Sequence, residues 1–202
     1  VIDCGGANLQ SVTYAIDKLE IEYKICKTKK DVKNSKAILL PGVGAAKNVM
    51  NNLKKQDLVE SIKNYSKPIL GICVGMQIFY EFSEEEDTEC LGILPGTIKK
   101  FVNSDLTIPH MGWNKVMFED SNFIDCSGYY YFANSYYAEI SKSTFAKTKY
   151  GIKFSSCVNK DNFYGVQFHP EKSSVNGMKF LNSFFSMLWK LYQQLILKMV
   201  NA

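Results

Sequence analysis

The stretch Ile69-Leu70-Gly71-Ile72-Cys73-Val74-Gly75-Met76-Gln77-Ile78-Phe79-Tyr80 joins an apolar strand pattern to a helical one. At the junction stands Cys73, with Gly71 two positions before it and Gly75 two positions after it. Small residues at these positions are what a tight strand-to-helix elbow requires, and such a turn lifts the central side chain out of the sheet. A thiol at a helix N-terminus also faces backbone N–H groups that can bind an oxyanion. We therefore predict that Cys73 is a nucleophile; the alternative is a core cysteine flanked by glycines by chance.

The sequence before this elbow alternates short apolar runs with longer amphipathic ones, which is typical of a parallel sheet covered by helices. It predicts extended segments at residues 1–4, 23–26 and 36–40 and helices at 8–19 and 57–65. After the acidic turn at residues 84–87, β-rich segments follow near Ile98 and at 113–118, 129–140 and 163–168. Residues 177–200 predict a helix that packs on the sheet. The predicted fold is α/β, with one domain over residues 1–202 and a mostly parallel central sheet flanked by helices, to which an antiparallel β segment is added.

Composition excludes several classes of protein. The 202 residues carry 24 Lys+Arg against 20 Asp+Glu, and 46% are hydrophobic, as in a globular domain. The lysines are scattered along the chain and do not form the Arg-rich stripe of a nucleic-acid-binding surface. The sequence contains no apolar run of 18 residues, so it does not predict a membrane span. The six cysteines form no C-x-x-C pair, which argues against a metal site and favours reduced thiols in the cytoplasm. Because the sequence begins Val-Ile-Asp without Met, we expect the true start a few residues upstream.

A thiolate nucleophile needs a base, and the chain has two histidines. One of them stands in Gly165-Val166-Gln167-Phe168-His169-Pro170-Glu171, directly after an apolar strand. Glu171 is close enough in sequence to accept the second ring N–H of His169. A lone histidine at a strand end is usually a polar cap. Together with an elbow cysteine at the same edge of the sheet, however, His169 and Glu171 predict a Cys73–His169–Glu171 triad.

Five motifs surround this triad, in the order Asn8-Leu9-Gln10-Ser11-Val12, Pro41-Gly42-Val43-Gly44, Gly71-Ile72-Cys73-Val74-Gly75-Met76-Gln77, Pro109-His110-Met111-Gly112-Trp113-Asn114 and Phe168-His169-Pro170-Glu171-Lys172-Ser173. With them the chain resembles the class I, triad-type glutamine amidotransferases nearly from end to end. The elbow and His-Pro-Glu are typical of the whole class. Pro-His-Met-Gly-Trp-Asn is similar to the glutaminase subunits of imidazole glycerol phosphate synthase.

The resemblance implies a role for each matching residue and no cofactor. Cys73 would attack the carboxamide of L-glutamine, His169 would move protons, and Glu171 would hold His169. The oxyanion would bind the backbone N–H of Val74 and, after a peptide flip, one from the loop at Gly42 and Val43. The residues implied to bind the α-amino-acid end of glutamine are Gln77, Glu85 and, through backbone groups, Asn134, Ser135 and Tyr136. The alternative for Glu85 is a solvated acidic turn.

The family passes its ammonia to a separate (β/α)8-barrel cyclase in histidine biosynthesis, so the resemblance also implies a heterodimer. The matching positions on the partner face are Asn8, Ser11, Met111, Trp113, Asn114 and Lys172. Trp113 could instead be a core tryptophan, but aromatic anchors are enriched at interfaces, which favours the interface. We interpret His110 as structural or as an interface residue.

Two positions depart from the family pattern. Ala7 stands where the family usually has glycine, and Asn134 stands where a histidine is expected. Asparagine can form amide hydrogen bonds but cannot titrate. The substitution therefore leaves open a glutaminase that feeds another synthase, such as a sugar-amidating enzyme. A further alternative is a catalytically silent regulatory subunit, but the intact Cys73, His169 and Glu171 count against it. The C-terminal helix extends past the usual end of the family, and nothing in the sequence explains the extension.

Overall fold

The computed structural model of the protein describes residues 1–5, 9–42, 44–102 and 105–200. The roles predicted for Asn8 and Val43, and the departure at Ala7, lie outside these ranges. The helices are α1 (Leu9–Asp17), α2 (Lys29–Asn34), α3 (Ala46–Lys55), α4 (Val59–Lys63), α5 (Val74–Gln77) and α6 (Ser174–Val200), with 3-10 turns at Ile124–Cys126 and Pro170–Lys172. The strands are β1 (Ile38–Gly42), β2 (Ile69–Cys73), β3 (Phe82–Ser83), β4 (Thr88–Glu89), β5 (Thr97–Lys100), β6 (His110–Phe118), β7 (Gly128–Asn134), β8 (Tyr136–Ala138), β9 (Thr144–Tyr150), β10 (Ile152–Lys160) and β11 (Phe163–Val166).

Three parallel strands form the centre of the sheet. β2 lies between β1 and β11 and pairs with both in parallel, with Gly42 opposite Cys73 and Val166 opposite Ile72. All five residues of β1 and all five of β2 are buried. Such continuous apolar runs are typical of parallel strands that are covered on both faces. The carboxyl ends of β1, β2 and β11 therefore meet at one edge, where Cys73 and the segment with His169 begin.

An antiparallel addition continues the sheet from β11. β10 pairs with β11, β8 and β9, and β6 pairs with β7 and β9, all antiparallel. The main path across the described strands is β1-β2-β11-β10-β8-β5-β3-β4. The predicted α/β class with a parallel centre and an antiparallel segment is confirmed. The antiparallel part holds more strands than the sequence pattern indicates.

Several predicted elements differ in detail from the observed ones. The helices expected at 8–19 and 57–65 are observed as the shorter α1 and α4, and the strand expected at 36–40 is β1, which begins at Ile38 and continues to Gly42. The first predicted βαβ unit is reduced, because its two extended segments meet only at a parallel bridge between Ile2 and Cys26. Helix α3 was not predicted from the sequence, although Ala46, Val49, Met50 and Leu53 are buried at helical spacing.

The predicted C-terminal helix is observed as α6, which starts three residues earlier than expected. Phe180, Leu181 and Phe184 are its buried anchors. The Phe180 ring packs 5.9 Å from that of Phe118 and 5.6 Å from that of Phe168, centroid to centroid, so the helix covers the aromatic side of the sheet next to the predicted site. In the part of the chain that is described, none of the helices is both long and apolar enough to cross a bilayer.

Candidate active site

Cys73 occupies a strained turn between β2 and α5. Its backbone has φ 55° and ψ −112°, a region that side-chain-bearing residues rarely adopt. Strain of this kind persists only where surrounding packing imposes it, and it is the geometry expected of a nucleophile elbow. The predicted elbow is therefore present in the structure.

The two glycines around Cys73 are required by close packing of the backbone. A Cβ added to Gly71 would lie 2.5 Å from the carbonyl oxygen of Gly75, and a Cβ added to Gly75 would lie 1.8 Å from the carbonyl oxygen of Leu40. Gly42, at the end of β1, is also closely packed, because its added Cβ would lie 2.3 Å from the backbone nitrogen of Gly75 and 2.8 Å from the carbonyl carbon of Val74. The glycine spacing in the sequence therefore reflects steric need, and it brings the Gly42 loop against the first residue of α5.

His169 and Glu171 lie beside the elbow, as the triad hypothesis requires. His169 Nδ1 lies 2.8 Å from Glu171 Oε1, and their side chains are 3% and 1% exposed. A carboxylate oxygen accepts, so Nδ1–H donates to Glu171 and Nε2 is left for the hydrogen bond with the Cys73 sulfur. The structure thus brings the three residues together in the order that their predicted roles as nucleophile, base and orienting carboxylate require.

The backbone of β7 holds His169 in place. The N–H of His169 donates to the carbonyl oxygen of Tyr131 at 2.9 Å. The Ser173 hydroxyl donates to the carbonyl oxygen of His169 at 2.6 Å and accepts from the N–H of Tyr131 at 2.9 Å. Neither Ser173 nor Tyr131 was assigned this role from the sequence. A serine four residues after the histidine was the available signal for a local side-chain-to-backbone bond.

The surroundings of His169 favour its protonated form. Burial alone would lower the pKa of His169, but the charge and hydrogen bond of Cys73, together with those of Glu171, outweigh burial and raise that pKa well above its ordinary value of 6.5. An imidazolium next to the sulfur stabilises a thiolate, which is the reactive form of cysteine. The arrangement can therefore supply both a nucleophile and a proton donor.

This raised pKa predicts a pH-dependent stability. The protonated His169 contributes its full stabilisation below the unfolded pKa of about 6.5, and this contribution is lost as pH rises through the higher folded pKa. In Glu171→Gln, which removes one source of the raised pKa, we expect a lower Tm near pH 6.5 and a smaller decrease of Tm toward alkaline pH. Thermal unfolding followed over this range measures both effects.

The control for this experiment is Glu119→Gln. Glu119 pairs with Lys147 on the exposed surface at 2.7 Å, so its loss should leave the pH dependence of Tm as in the unchanged protein. Parallel Tm curves for Glu171→Gln and the unchanged protein would contradict the assignment of His169 as a stabilising cation.

Three of the predicted substrate-binding residues are joined by hydrogen bonds. Gln77 Nε2 and Asn134 Nδ2 both donate to the carbonyl oxygen of Tyr136, at 3.2 and 2.9 Å. The carbonyl oxygen of Ser135, between them, accepts the N–H of Phe101 at 3.0 Å. Residues 134–136 therefore form a fixed segment against Gln77, the last residue of α5.

Glu85 is not the solvated turn carboxylate that the alternative hypothesis describes. Its Oε2 accepts the N–H of Ala46 at 2.7 Å, at the first turn of α3. Burial raises the pKa of Glu85, and this backbone hydrogen bond opposes the rise. A half-buried carboxylate at this position connects the acidic turn to the helix that follows the Gly42 loop.

The β6–β7 hairpin exposes the apolar residues predicted for a partner face. Met111 is 64% exposed and Trp113 is 53% exposed, so the alternative of a core tryptophan is wrong. The Trp113 ring contacts that of Tyr131 edge-on, with centroids 6.3 Å apart. α1, which carries the partly buried Ser11, packs against the 3-10 turn that carries the exposed Lys172.

The Asn114 side chain has an internal role. Its Nδ2 donates to the carbonyl oxygen of Lys149 at 3.0 Å and lies 3.3 Å from His110 Nε2. His110 is buried and stacks on Tyr150, with ring centroids 3.9 Å apart, and on Phe132 at 4.9 Å. Burial lowers the pKa of His110 to about 4. The structural interpretation of His110 therefore holds.

A sequence model of the family "Glutamine amidotransferase class-I" matches residues 1–188. The chain is 41% identical over 188 residues to the imidazole glycerol phosphate synthase subunit HisH of Mannheimia succiniciproducens, covering 91% of this chain and 97% of that relative. It is 44% identical over 186 residues to subunit HisH 2 of Campylobacter jejuni, covering 91% and 95%.

Among solved structures, a crystal structure of a glutamine amidotransferase superimposes with a TM-score of 0.71 at 17% identity, covering 90% of this chain and 94% of that one. A glutamine amidotransferase from Thermotoga maritima gives 0.57 at 15% identity, covering 90% and 78%. These two likenesses concern the fold alone. From the family match and the identity to the HisH subunits, we conclude that the chain belongs to the class-I glutamine amidotransferase family, on its HisH branch.

Proposed function

We propose that this protein, as one amidotransferase domain over residues 1–202, is the glutaminase subunit of an imidazole glycerol phosphate synthase. It would hydrolyse L-glutamine to glutamate and ammonia. The observation that carries this proposal is the buried Cys73 at a strained elbow, hydrogen-bonded to His169, whose other ring nitrogen lies 2.8 Å from Glu171. The names of the curated relatives support the histidine pathway.

The reaction proceeds in two steps through a cysteine thioester. The Cys73 sulfur attacks the carboxamide carbon of glutamine, and the C–N bond breaks as His169 delivers a proton to the leaving ammonia. A water molecule then attacks the thioester while His169 accepts its proton. Glutamate leaves and the Cys73 sulfur is restored. Glu171 keeps the imidazole in one orientation throughout, because its carboxylate accepts a hydrogen bond from the Nδ1–H group without taking the proton.

Backbone N–H groups stabilise the charge that develops on the carboxamide oxygen. The N–H of Val74 is one donor, and the loop of Gly42 and Val43 supplies a second after a peptide flip. The tight packing of Gly42 on Val74 supports this pairing. The α-amino-acid end of glutamine would contact Gln77, Glu85 and the backbone of residues 134–136.

The ammonia passes to a (β/α)8-barrel cyclase subunit bound in a heterodimer. Ammonia released into neutral water is protonated to ammonium, which is not a nucleophile, so the site must open toward a sealed interface. The proposed partner face consists of Asn8, Ser11, Met111, Trp113, Asn114 and Lys172. We place the complex in the cytosol, and the six free cysteines support a reducing compartment.

The test is a glutaminase assay with the cyclase subunit of the same organism. We expect glutamate release that rises when the cyclase and its nucleotide substrate are added, together with incorporation of ammonia into the cyclase product. Binding to the cyclase without glutamate release would instead identify a silent regulatory subunit. Glutamate release without cyclase binding would identify a glutaminase for another synthase.

The partner face gives a prediction for Trp113→Ala. Because an exposed aromatic anchor contributes to binding without supporting the core, we expect the Kd for the cyclase to rise by about tenfold or more. Ligand-stimulated glutaminase activity should fall at limiting cyclase, and the slow basal rate should stay nearly constant. Titration calorimetry and parallel assays measure these quantities.

The matched control is Tyr23→Ala, an exposed aromatic residue outside the proposed face. This variant should bind the cyclase as the unchanged protein does. Unfolding of Trp113→Ala, or equal weakening by both variants, would contradict the assignment of Trp113 to the partner face.

A further inference from the structure

A buried chain of side-chain amides ends on the Cys73 sulfur. Gln167 Nε2 lies 3.7 Å from Cys73 Sγ, and Gln77 Nε2 lies 2.9 Å from Gln167 Oε1. Gln77 is 2% exposed and Gln167 is fully buried. The backbone N–H of Gln167 also donates to the carbonyl oxygen of Ser156, which fixes its main chain. Gln167 stands in the motif around His169 but received no role from the sequence.

The direction of the Gln167 amide follows from its neighbours. The carbonyl oxygen of Tyr136 can only accept, so the atom of Gln77 that faces it at 3.2 Å is the nitrogen. The same NH2 group of Gln77 then donates to Gln167, whose facing atom must be the oxygen. Gln167 therefore turns its own NH2 group toward Cys73 as a donor.

We propose that Gln167 is a positioning residue for the nucleophile, whose amide N–H holds the Cys73 sulfur and stabilises the negative charge on it. The inference rests on the proposed glutaminase function and adds a residue to its machinery. The Cys73 side chain makes no capping hydrogen bond within the described first turn of α5, so the donor of Gln167 constrains a sulfur that this helix does not. A hydrogen bond to an ionised acceptor is about twice as strong as a neutral one.

The arrangement also connects the sulfur to the substrate segment. The carbonyl oxygen of Tyr136 accepts from Gln77 and from Asn134, so both of its lone pairs are occupied. Gln77 links the Tyr136 carbonyl to Gln167, and Gln167 donates to the Cys73 sulfur. The position of residues 134–136 therefore determines where the Gln167 donor lies. Substrate placement and nucleophile placement therefore depend on one hydrogen-bonded unit.

The test compares Gln167→Met with the unchanged full chain. Methionine has a similar volume but no N–H donor, and His169 and Glu171, the ionisable groups placed beside the thiol, are retained. We would measure the rate of iodoacetamide alkylation at Cys73 against pH by peptide mass spectrometry. Loss of the donor should raise the pH midpoint of alkylation by about one unit and slow the reaction several-fold below that midpoint. An unchanged midpoint in a folded variant would overturn the proposal.

The control is Ser156→Ala. The Ser156 hydroxyl donates to Thr148 Oγ1, so its loss removes another buried hydrogen bond beside Gln167. We expect lower stability without a shift of the midpoint. If Ser156→Ala shifted the alkylation midpoint as much as Gln167→Met does, loss of any buried hydrogen bond near the site would suffice to move the midpoint. That result would overturn the specific role of Gln167.

A second variant, Gln167→Asn, decides the matter where Gln167→Met does not fold. Asparagine keeps the amide but withdraws it by one methylene, about 1.5 Å. We expect a smaller midpoint shift in the same direction, and an unchanged midpoint would overturn the proposal. Because alkylation requires no glutamine, this result is independent of whether the chain hydrolyses glutamine.

Discussion

The Cys73→Ala variant is expected to lose glutamine-dependent product formation by about a thousandfold or more, while the complex still forms product from added ammonium salt. Removal of the sulfur leaves no atom that can form the thioester, and loss of a nucleophile typically costs at least this factor. The ammonia acceptor site lies on the partner in our proposal, so it should be unaffected. Product formation from glutamine and from ammonium, measured side by side, separates the two steps.

Cys90→Ser provides the control for this variant. Cys90 is a partly exposed thiol, and its only described hydrogen bond from sulfur goes to the carbonyl oxygen of Thr88 at 3.6 Å. Both activities should persist in this variant. Loss of glutamine-dependent and ammonium-dependent activity together in a folded Cys73→Ala protein would contradict the division of labour between the subunits. A glutamine-like electrophile should label Cys73 and leave the other five cysteines unmodified.

The elbow could be predicted because its requirements are local. The turn at Cys73 needs glycines two residues on either side, and the structure shows backbone atoms where their side chains would be. The neighbouring strand and helix patterns are likewise local in sequence. The proximity of His169 then followed from one general rule, that the carboxyl ends of neighbouring parallel strands share an edge.

The partners of these residues could not be predicted so readily. The role of Gln167 depends on the Gln77 amide and the Tyr136 carbonyl, which lie 90 and 31 residues away in sequence. Its one local signal was a polar residue in the buried stretch that continues from the end of β11, where a polar side chain must find a partner. Glu85 was ambiguous for a similar reason, because an acidic turn has the same sequence pattern whether its carboxylates are solvated or bound to α3.

The extent of the antiparallel region was also beyond the sequence pattern. Strand periodicity shows which residues form strands but not which strands pair, and β10 pairs with three others. The outcome matters for function, because β7 pairs with β6 and its Tyr131 backbone holds His169. The exposed Trp113 therefore lies one strand away from the main chain of the predicted base.

The Gly75→Ala variant is expected to lose about 3 kcal/mol or more of its free energy of unfolding. The added methyl group would lie 1.8 Å from the Leu40 carbonyl oxygen, which belongs to the backbone of β1 and cannot move away as a flexible side chain could. Either β1 or the start of α5 must shift. For a chain of this size each kcal/mol lowers Tm by about 2–4 °C, so the decrease should approach 10 °C. Iodoacetamide labelling of Cys73 should also slow, because the elbow that holds the sulfur is displaced.

The Gly92→Ala variant separates steric overlap from the general cost of replacing a glycine. Gly92 has φ +67°, so alanine is strained there, but no described atom lies within 4 Å of the added Cβ. We expect a loss of about 1 kcal/mol from backbone strain and unchanged labelling of Cys73. Gly75, by contrast, has no positive φ, and its predicted cost comes entirely from the contact between β1 and the elbow. Equal losses of stability in the two variants, or normal labelling of Cys73 in Gly75→Ala, would show that this close approach does not hold the nucleophile in place.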